Sequence, residues 1–264
     1  MLLRLANKVI VVVGGTTGLG FSAAKAFVEA GARVVVVGRN AENVARAEMA
    51  LGAAGKALAG DASDPQTAPA AISAALKHFG GFHGLYHVAG GSGRKMGDGP
   101  MHEISNQGWE FTLNLNLTSL FYSNRAAVQQ FLKQNTGGSI LNMSSVLGFS
   151  PSPRFFGTHA YAATKAAVIG LTKSAASFYA EKSIRFNVLA PGLVATPMSQ
   201  RAQGEQSILD FIVTKQPLDG GRIGNSSDFD EAAVYFLSED SKFITGQVLS
   251  VDGGWSVSEG QYGQ

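Results

Sequence analysis

Short, mainly apolar runs rich in β-branched residues alternate along the whole chain with longer Ala-rich segments. The runs at Lys8–Val13, Arg33–Val37, Lys56–Ala59, Gly84–Val88, Ser139–Met143, Arg185–Leu189 and Gln247–Val251 read as strands. A strand with one wet face alternates apolar and polar side chains. These do not, so they are expected to be buried on both faces. Helical stretches lie between them, at roughly Gly18–Ala30, Ala41–Leu51, Pro65–Phe79, Gln107–Gln134, Tyr161–Lys182 and Asp228–Leu237. Such alternation predicts an α/β fold: a doubly wound parallel sheet of about seven strands, covered by helices on both faces and joined by right-handed crossovers. No internal repeat or linker interrupts it, so residues 1–264 are expected to form a single domain.

Composition removes several functions. Apolar residues make up 45% of the chain, enough for a large core and too many for disorder. The formal net charge is only +2 and no basic run stands out, which argues against a nucleic-acid or membrane partner. There is no cysteine, so disulfides and thiolate chemistry are excluded and a reducing, cytoplasmic compartment is expected. The five histidines (His78, His83, His87, His102, His159) form no ligand pattern, and no metal is expected. The N-terminal apolar run, Val9 to Val13, is too short for export or for crossing a membrane.

The first strand runs into Val13-Gly14-Gly15-Thr16-Thr17-Gly18-Leu19-Gly20, and a helix follows. Glycines at 14, 18 and 20 let backbone approach a pyrophosphate, whose charge the free N–H groups of the helix start can bind. Spacing alone is weak evidence, because glycine is 33 of 264 residues and the same spacing recurs at Gly93, Gly97 and Gly99. Only the first copy stands between a strand and a helix, the context that gives a Rossmann-type dinucleotide turn its meaning. The second strand ends at Val37 and is followed by Gly38, Arg39 and Asn40. A cofactor with a free ribose 2′-hydroxyl is normally held by an acidic residue at this point. Here there is none, and a guanidinium pairs with a 2′-phosphate, so NADP(H) is favoured over NAD(H). A solvated loop arginine is the plain alternative. Asp61 follows the third strand and could accept from an adenine amino group or cap the next helix.

Tyr161 and Lys165 are four residues apart and share a face of their helix. A free phenol, with a pKa of about 10, is a poor acid-base group at neutral pH. A neighbouring cation is expected to lower that pKa and let the pair exchange a proton with an alcohol or ketone. Alone, the pair is more commonly a half-buried ring and a solvated amine.

Taken together, these residues resemble the classical short-chain dehydrogenases/reductases over essentially the whole chain. The family's glycine pattern matches Gly14, Gly18 and Gly20, and its Y-x-x-x-K pattern matches Tyr161 and Lys165. Trp109, seven residues before Asn116, resembles the helix that carries the family's asparagine. Gly138–Ser145 is similar to the strand that delivers its serine, matched by Ser145 with Ser144 as the fallback. Pro191–Pro197 resembles its nicotinamide-side loop, and Phe243–Gly254 its last strand and turn. The resemblance implies a catalytic set of Asn116, Ser145, Tyr161 and Lys165. Its implied cofactor lining is Gly14, Thr16, Thr17, Gly18, Leu19 and Gly20, then Arg39, Asn40, Asp61 and Ala62, then Ala89 and Gly90, then Pro191, Gly192, Val194 and Thr196, with Tyr161 and Lys165 contributing again.

In the implied chemistry Tyr161 passes the proton, Lys165 lowers the tyrosine pKa and bonds the nicotinamide ribose, and Ser145 grips the reacting oxygen. Asn116 breaks its helix and holds a water leading from Lys165 to solvent. Family members also pair their two long helices, which implies a homotetramer or homodimer here. Residues 197–217 are expected to form a substrate lid, or else an amphipathic helix packed on the body. Met198, Phe149, Phe155 and Phe156 are candidates for the pocket wall. Arg94, Lys95 and Arg154 are expected in loops near its mouth, where they could attract an acidic substrate or simply be solvated.

Three departures from the family stand out. Val13 replaces the usual Thr, His87-Val88-Ala89-Gly90 replaces Asn-Asn-Ala-Gly, and extra residues at 150–157 lengthen the link from Ser145 to Tyr161. The expected activity is reversible hydride exchange with a small ketone or secondary alcohol, with a leaning towards a 3-oxoacyl-(acyl carrier protein) reductase-like enzyme. The competing reading is a non-catalytic dinucleotide-binding regulator on the same fold. A sugar-nucleotide epimerase fits the length and glycine spacing poorly, and a P-loop kinase lacks its Gly-Lys-Ser/Thr.

Overall fold

A computed structural model describes residues 3–261. Seven strands, β1 (Val9–Val13), β2 (Arg33–Gly38), β3 (Gly55–Ala59), β4 (Gly84–His87), β5 (Gly138–Met143), β6 (Ile184–Pro191) and β7 (Val248–Val251), form one sheet in the order β3-β2-β1-β4-β5-β6-β7. Every pairing is parallel. The helices are α1 (Gly18–Glu29), α2 (Ala41–Leu51), α3 (Thr67–Phe79), α4 (Asn106–Leu113), α5 (Ser119–Gln134), α6 (His159–Tyr179), α7 (Gln200–Gln203), α8 (Gln206–Lys215) and α9 (Asp230–Leu237).

The apolar runs are explained by two cores that divide each strand residue by residue. Ile10 and Val12 of β1 face Phe27 of α1, Leu51 of α2 and Val234 of α9 in one core. Val9, Val11 and Val13 face Ile72 of α3, Phe131 of α5 and Phe186 of β6 in the other. A side-chain period of two puts alternate residues on opposite faces, so a strand with a core on each side is apolar at most positions. Burying a Val, Ile or Phe of this kind stabilises the fold by about 1.5–3 kcal/mol.

A third, smaller cluster forms a roof: Val146, Ala202, Ile208, Phe211, Ile212 and Trp255. The inserted residues 150–157 belong to it. Phe155 packs on Phe211 at 5.4 Å between ring centroids, and Phe156 on Trp255 at 5.5 Å. The Trp255 indole N–H donates to the Ser150 carbonyl at 3.2 Å. Within 197–217, Ile208, Phe211 and Ile212 of α8 are buried in this roof. Pro197, Met198, Ser199, Arg201 and Ala202 instead line the crevice beneath it.

The sheet order reverses between β1 and β4: β1 leads outward to β2 and β3, while β4 begins the other half. Val13 is in register with both Val37 and His87, so three strand ends stop at one level. Open α/β sheets hold ligands outside the strand C-termini at such a switch point.

Candidate active site

The crevice at that switch point has a volume of about 840 Å³. The glycine turn after β1, the ends of β2 to β6, the start of α6 and the 193–202 segment all open onto it. At Gly14 the backbone has φ +85°, and an added Cβ would lie 2.5 Å from the Ala89 nitrogen. Only glycine permits that turn and that approach. Gly38 is required for a different reason: its Cβ would fall 2.0 Å from the Thr16 hydroxyl. The space where a side chain at position 38 would begin is filled by Thr16.

Arg39 lies exposed on the rim, 3.9 Å from the Asp61 carboxylate. Asp61 accepts from the backbone N–H and hydroxyl of Ser63, at 2.9 and 2.7 Å. Burial raises its pKa, but the Ser63 bonds and Arg39 outweigh burial and hold it below the ordinary value. Asn40 caps α2 by accepting from the Asn43 N–H at 2.9 Å.

Most of the expected cofactor-side residues meet here: Gly14, Thr16, Thr17, Gly18 and Leu19 from the first turn, Arg39, Asn40, Asp61 and Ala62 from the next two strand ends, and Ala89, Gly90, Pro191, Gly192, Val194 and Thr196 from across the crevice. Gly20 does not line it and lies buried in the first turn of α1. The lining fits a dinucleotide. The backbone cradle at Gly14 would be filled by any Cβ, and a helix N-terminus opens beside it.

Ser145, Tyr161 and Lys165 line the deeper part of the crevice. The neighbouring Ser144 also lines the crevice, but its hydroxyl is engaged, donating to the Lys165 carbonyl at 2.7 Å. Lys165 is buried, its Nζ lies 5.5 Å from the Tyr161 ring centroid, and it donates to the Met143 carbonyl at 3.1 Å. Burial pulls its ammonium down to about 8. The Tyr161 phenol is pushed up to about 12 by burial, and the group that draws it back is the Ser145 hydroxyl. The expected lowering of the phenol by Lys165 is not what the protein alone shows, because desolvation dominates. Tyr161 keeps some contact with the crevice, so solvent moderates the upward push without reversing it. At neutral pH the phenol carries its proton.

Asn116 is buried and does not line the crevice. Its side-chain oxygen accepts from the Gly91 N–H at 3.0 Å, and its amide donates to the carbonyls of Gly91 (2.9 Å) and Thr112 (3.0 Å). Residues Asn114–Thr118 form a π-helical turn between α4 and α5. His87 is also buried: Nδ1 bonds the Ser123 hydroxyl at 3.0 Å and Nε2 donates to the Ala89 carbonyl at 3.1 Å. It thus ties the end of β4 to α5 and to the crevice loop, the task left open by the missing asparagines. Burial first, then the Lys165 charge, lowers its pKa to about 3, so it is neutral.

Asp98 was invisible to sequence patterns. It is buried and accepts from the N–H groups of Ala160 (3.0 Å) and Tyr161 (2.9 Å), one on each carboxylate oxygen. Thr158, the residue before α6, makes no capping bond with its own side chain. The start of the tyrosine's helix is therefore held from a distant loop. An acid between Gly97 and Gly99 was the only local hint, and nothing in the spacing connects it to α6.

A family model described as "Enoyl-(Acyl carrier protein) reductase" matches residues 13–256. The chain belongs to the classical short-chain dehydrogenase/reductase family. It is 35% identical over 257 residues to 2,5-dichloro-2,5-cyclohexadiene-1,4-diol dehydrogenase LinX from Sphingobium indicum, covering 96% of this chain and 98% of that one. It is 34% identical to the NADP-dependent (R)-specific alcohol dehydrogenase of Lentilactobacillus kefiri, covering 96% and 98%. With 3-oxoacyl-[acyl-carrier-protein] reductase FabG of Chlamydia trachomatis it shares 33% identity, covering 95% and 98%. A solved short-chain type dehydrogenase/reductase from Mycobacterium ulcerans superposes with a TM-score of 0.88 at 30% identity, over 97% of this chain and 92% of that one. As a member of this family the protein is an NAD(P)-dependent oxidoreductase acting on alcohol or ketone groups. Among the described residues no helix is long and apolar enough to cross a membrane, and no cluster could hold a metal ion.

Proposed function

We propose that this protein is an NADP(H)-dependent reductase of ketones, working reversibly on secondary alcohols, with Tyr161 as the proton donor. The observation that carries the reading is the protonated phenol of Tyr161 beside the Ser145 hydroxyl in a crevice built for a dinucleotide. When bound, a nicotinamide cofactor supplies or takes up the hydride. Ser145 donates a hydrogen bond to the substrate oxygen and stabilises its growing negative charge. Tyr161 gives that oxygen its proton, turning the carbonyl into an alcohol, and removes the proton in the reverse direction. Lys165 returns a proton to the phenolate. Its ammonium, drawn down to about 8, is close enough to neutrality to do so. Asn116 holds the 90–91 loop against Lys165, and the π turn around it leaves backbone free to bind a relay water. Val194 and Thr196 face the nicotinamide end, and the 197–205 stretch closes over the substrate.

The preference for NADP(H) rests on Arg39 at the rim and on Thr16 occupying the place of a carboxylate at Gly38. Association into a homotetramer, or at least a homodimer, is supported by the exposed Phe121 and Leu132 of α5 and Phe178 of α6, and by the exposed Leu249 of β7. A reducing, cytoplasmic setting accords with the absence of cysteine. The substrate class of 3-oxoacyl thioesters named for one relative remains within this proposal, alongside simpler ketones.

The test is Tyr161→Phe. It should retain NADPH binding, followed by fluorescence, while kcat with a ketone panel drops by about 10²–10⁴. Equal turnover in variant and parent would end the proposal.

A further inference from the structure

One part of the crevice lining is not among the residues assigned above to the dinucleotide. The loop after β4 brings Arg94 and Lys95 to it, and the segment entering α7 brings Met198 and Arg201. Arg201 is held in place: it donates to Glu205 at 2.9 Å and to the Phe155 carbonyl at 3.0 Å. Arg94 stands exposed at the rim, and among the described residues neither Arg94 nor Lys95 takes part in an ion pair. Partial burial first, and then the like charge of Arg201, lowers the Arg94 pKa, while Asp98 and Glu205 act in the opposite sense. Among the described residues neither acid pairs with it directly. Asp98 is committed to the N–H groups of α6, and Glu205 to Arg201. Among the described residues, the one carboxylate that lines the crevice is Asp61, beside Arg39.

This part of the crevice thus carries Arg94 and Lys95, which take part in no ion pair among the described residues, beside Arg201, which is paired with Glu205. Gathering like charges at the mouth of a low-dielectric cleft is unfavourable unless an anion joins them. The same field draws anions in and raises the rate at which they arrive. A guanidinium offers a planar fork that grips a carboxylate or phosphate with two parallel bonds. The same crevice is also lined by apolar Leu147, Phe156, Met198 and Trp255.

We propose that the site takes acidic carbonyl compounds and the corresponding hydroxy acids: the oxygen to be reduced lies against Tyr161 and Ser145, and the anionic group lies on Arg94, flanked by Lys95 and Arg201. This rests on the ketone-reductase reading of the crevice. In the reaction the carbonyl carbon gains a hydride from the reduced nicotinamide, its oxygen gains the Tyr161 proton, and the acidic group is unchanged.

The test measures binding without turnover. Levulinate, methyl levulinate and dihydroxyacetone phosphate are titrated calorimetrically into the enzyme saturated with NADP⁺, where no hydride is available for reduction. Levulinate or the phosphate should bind at least about tenfold tighter than the uncharged ester, and Arg94→Gln should reduce that advantage by about tenfold. Lys133→Gln, remote on α5, should leave the ratio as it was. Whichever anion binds tighter tells carboxylate from phosphate. An ester that binds as well as both anions, or no anion binding at all, would overturn the proposal. So would an Arg94→Gln variant that loses NADP⁺ affinity as strongly as levulinate, since Arg94 would then serve the cofactor. Failure to consume NADPH with any ketone, charged or neutral, would instead sink the ketone-reductase reading, because the titration is read independently of turnover.

Discussion

Replacing Asp98 should damage catalysis more than its distance along the chain suggests. Its two carboxylate oxygens hold the first N–H groups of α6, at Ala160 and Tyr161, and the helix has no cap of its own at Thr158. Each hydrogen bond to a charged acceptor contributes about 1.5–3 kcal/mol. The charge also sits at a helix N-terminus, where it is stabilising. Asp98→Ala should therefore cost roughly 3–5 kcal/mol, counting both bonds and allowing water to replace part of them. In a domain of this size that lowers Tm by about 6–20 °C. Asp98→Asn keeps one acceptor oxygen and should lose about half as much. The functional consequence is separate. Tyr161 begins the helix that Asp98 holds, so a loosened first turn lets the phenol drift from Ser145. A misplacement of about 1 Å can cost 10²-fold in rate, so kcat of Asp98→Asn should fall by about 10–10²-fold at temperatures where it is fully folded. Calorimetry gives the Tm, and steady-state rates at saturating NADPH give kcat. A folded Asp98→Ala protein with parental Tm and kcat would refute the capping argument. A lower Tm with unchanged kcat would leave Asp98 as a stabilising residue only.

Two further outcomes follow from the same geometry. Arg39→Ala should raise KM for NADPH while barely changing KM for NADH, read from steady-state rates with each cofactor; equal changes would mean that Arg39 does not contact a 2′-phosphate. His87 should make the fold acid-sensitive. Its folded pKa, about 3, lies below the unfolded value near 6.5, so its stabilising contribution is complete above pH 6.5 and is lost as pH falls towards 3. Between pH 6.5 and 5 that amounts to about 2 kcal/mol, measurable as a drop in urea midpoint that His87→Asn should largely abolish. The same drop in both proteins would place the acid sensitivity elsewhere.

What the sequence revealed and what it hid divide along a physical line. The sheet was legible because each strand is sandwiched: Ile10 and Val12 serve one core and Val9 and Val11 the other, which leaves an unbroken apolar run in the sequence. The glycine turn was legible because its constraint is local, a backbone that must pass within van der Waals distance of Ala89. Tyr161 and Lys165 were legible for the same reason, one helix face carrying both. What escaped was set by charge and solvent across space. No spacing rule links Asp98 to α6, and the repeated glycines at 93, 97 and 99 read as an accident until the loop they shape was seen to deliver Asp98 and Arg94 together.

The phenol's pKa could not be read from the Tyr-Lys spacing at all. It depends on where the Lys165 ammonium spends its hydrogen bonds and on how much water reaches the ring. This asymmetry bears on how the site works. With the crevice open, desolvation keeps the proton on Tyr161 and draws Lys165 towards neutrality, a pair set to donate a proton to a carbonyl oxygen. For the reverse reaction the phenol must lose that proton, and the additional hydrogen-bond donors must come from what fills the crevice. On the proposed reading, the phenol's protonation in the protein alone is therefore a property that bound cofactor and substrate are expected to change.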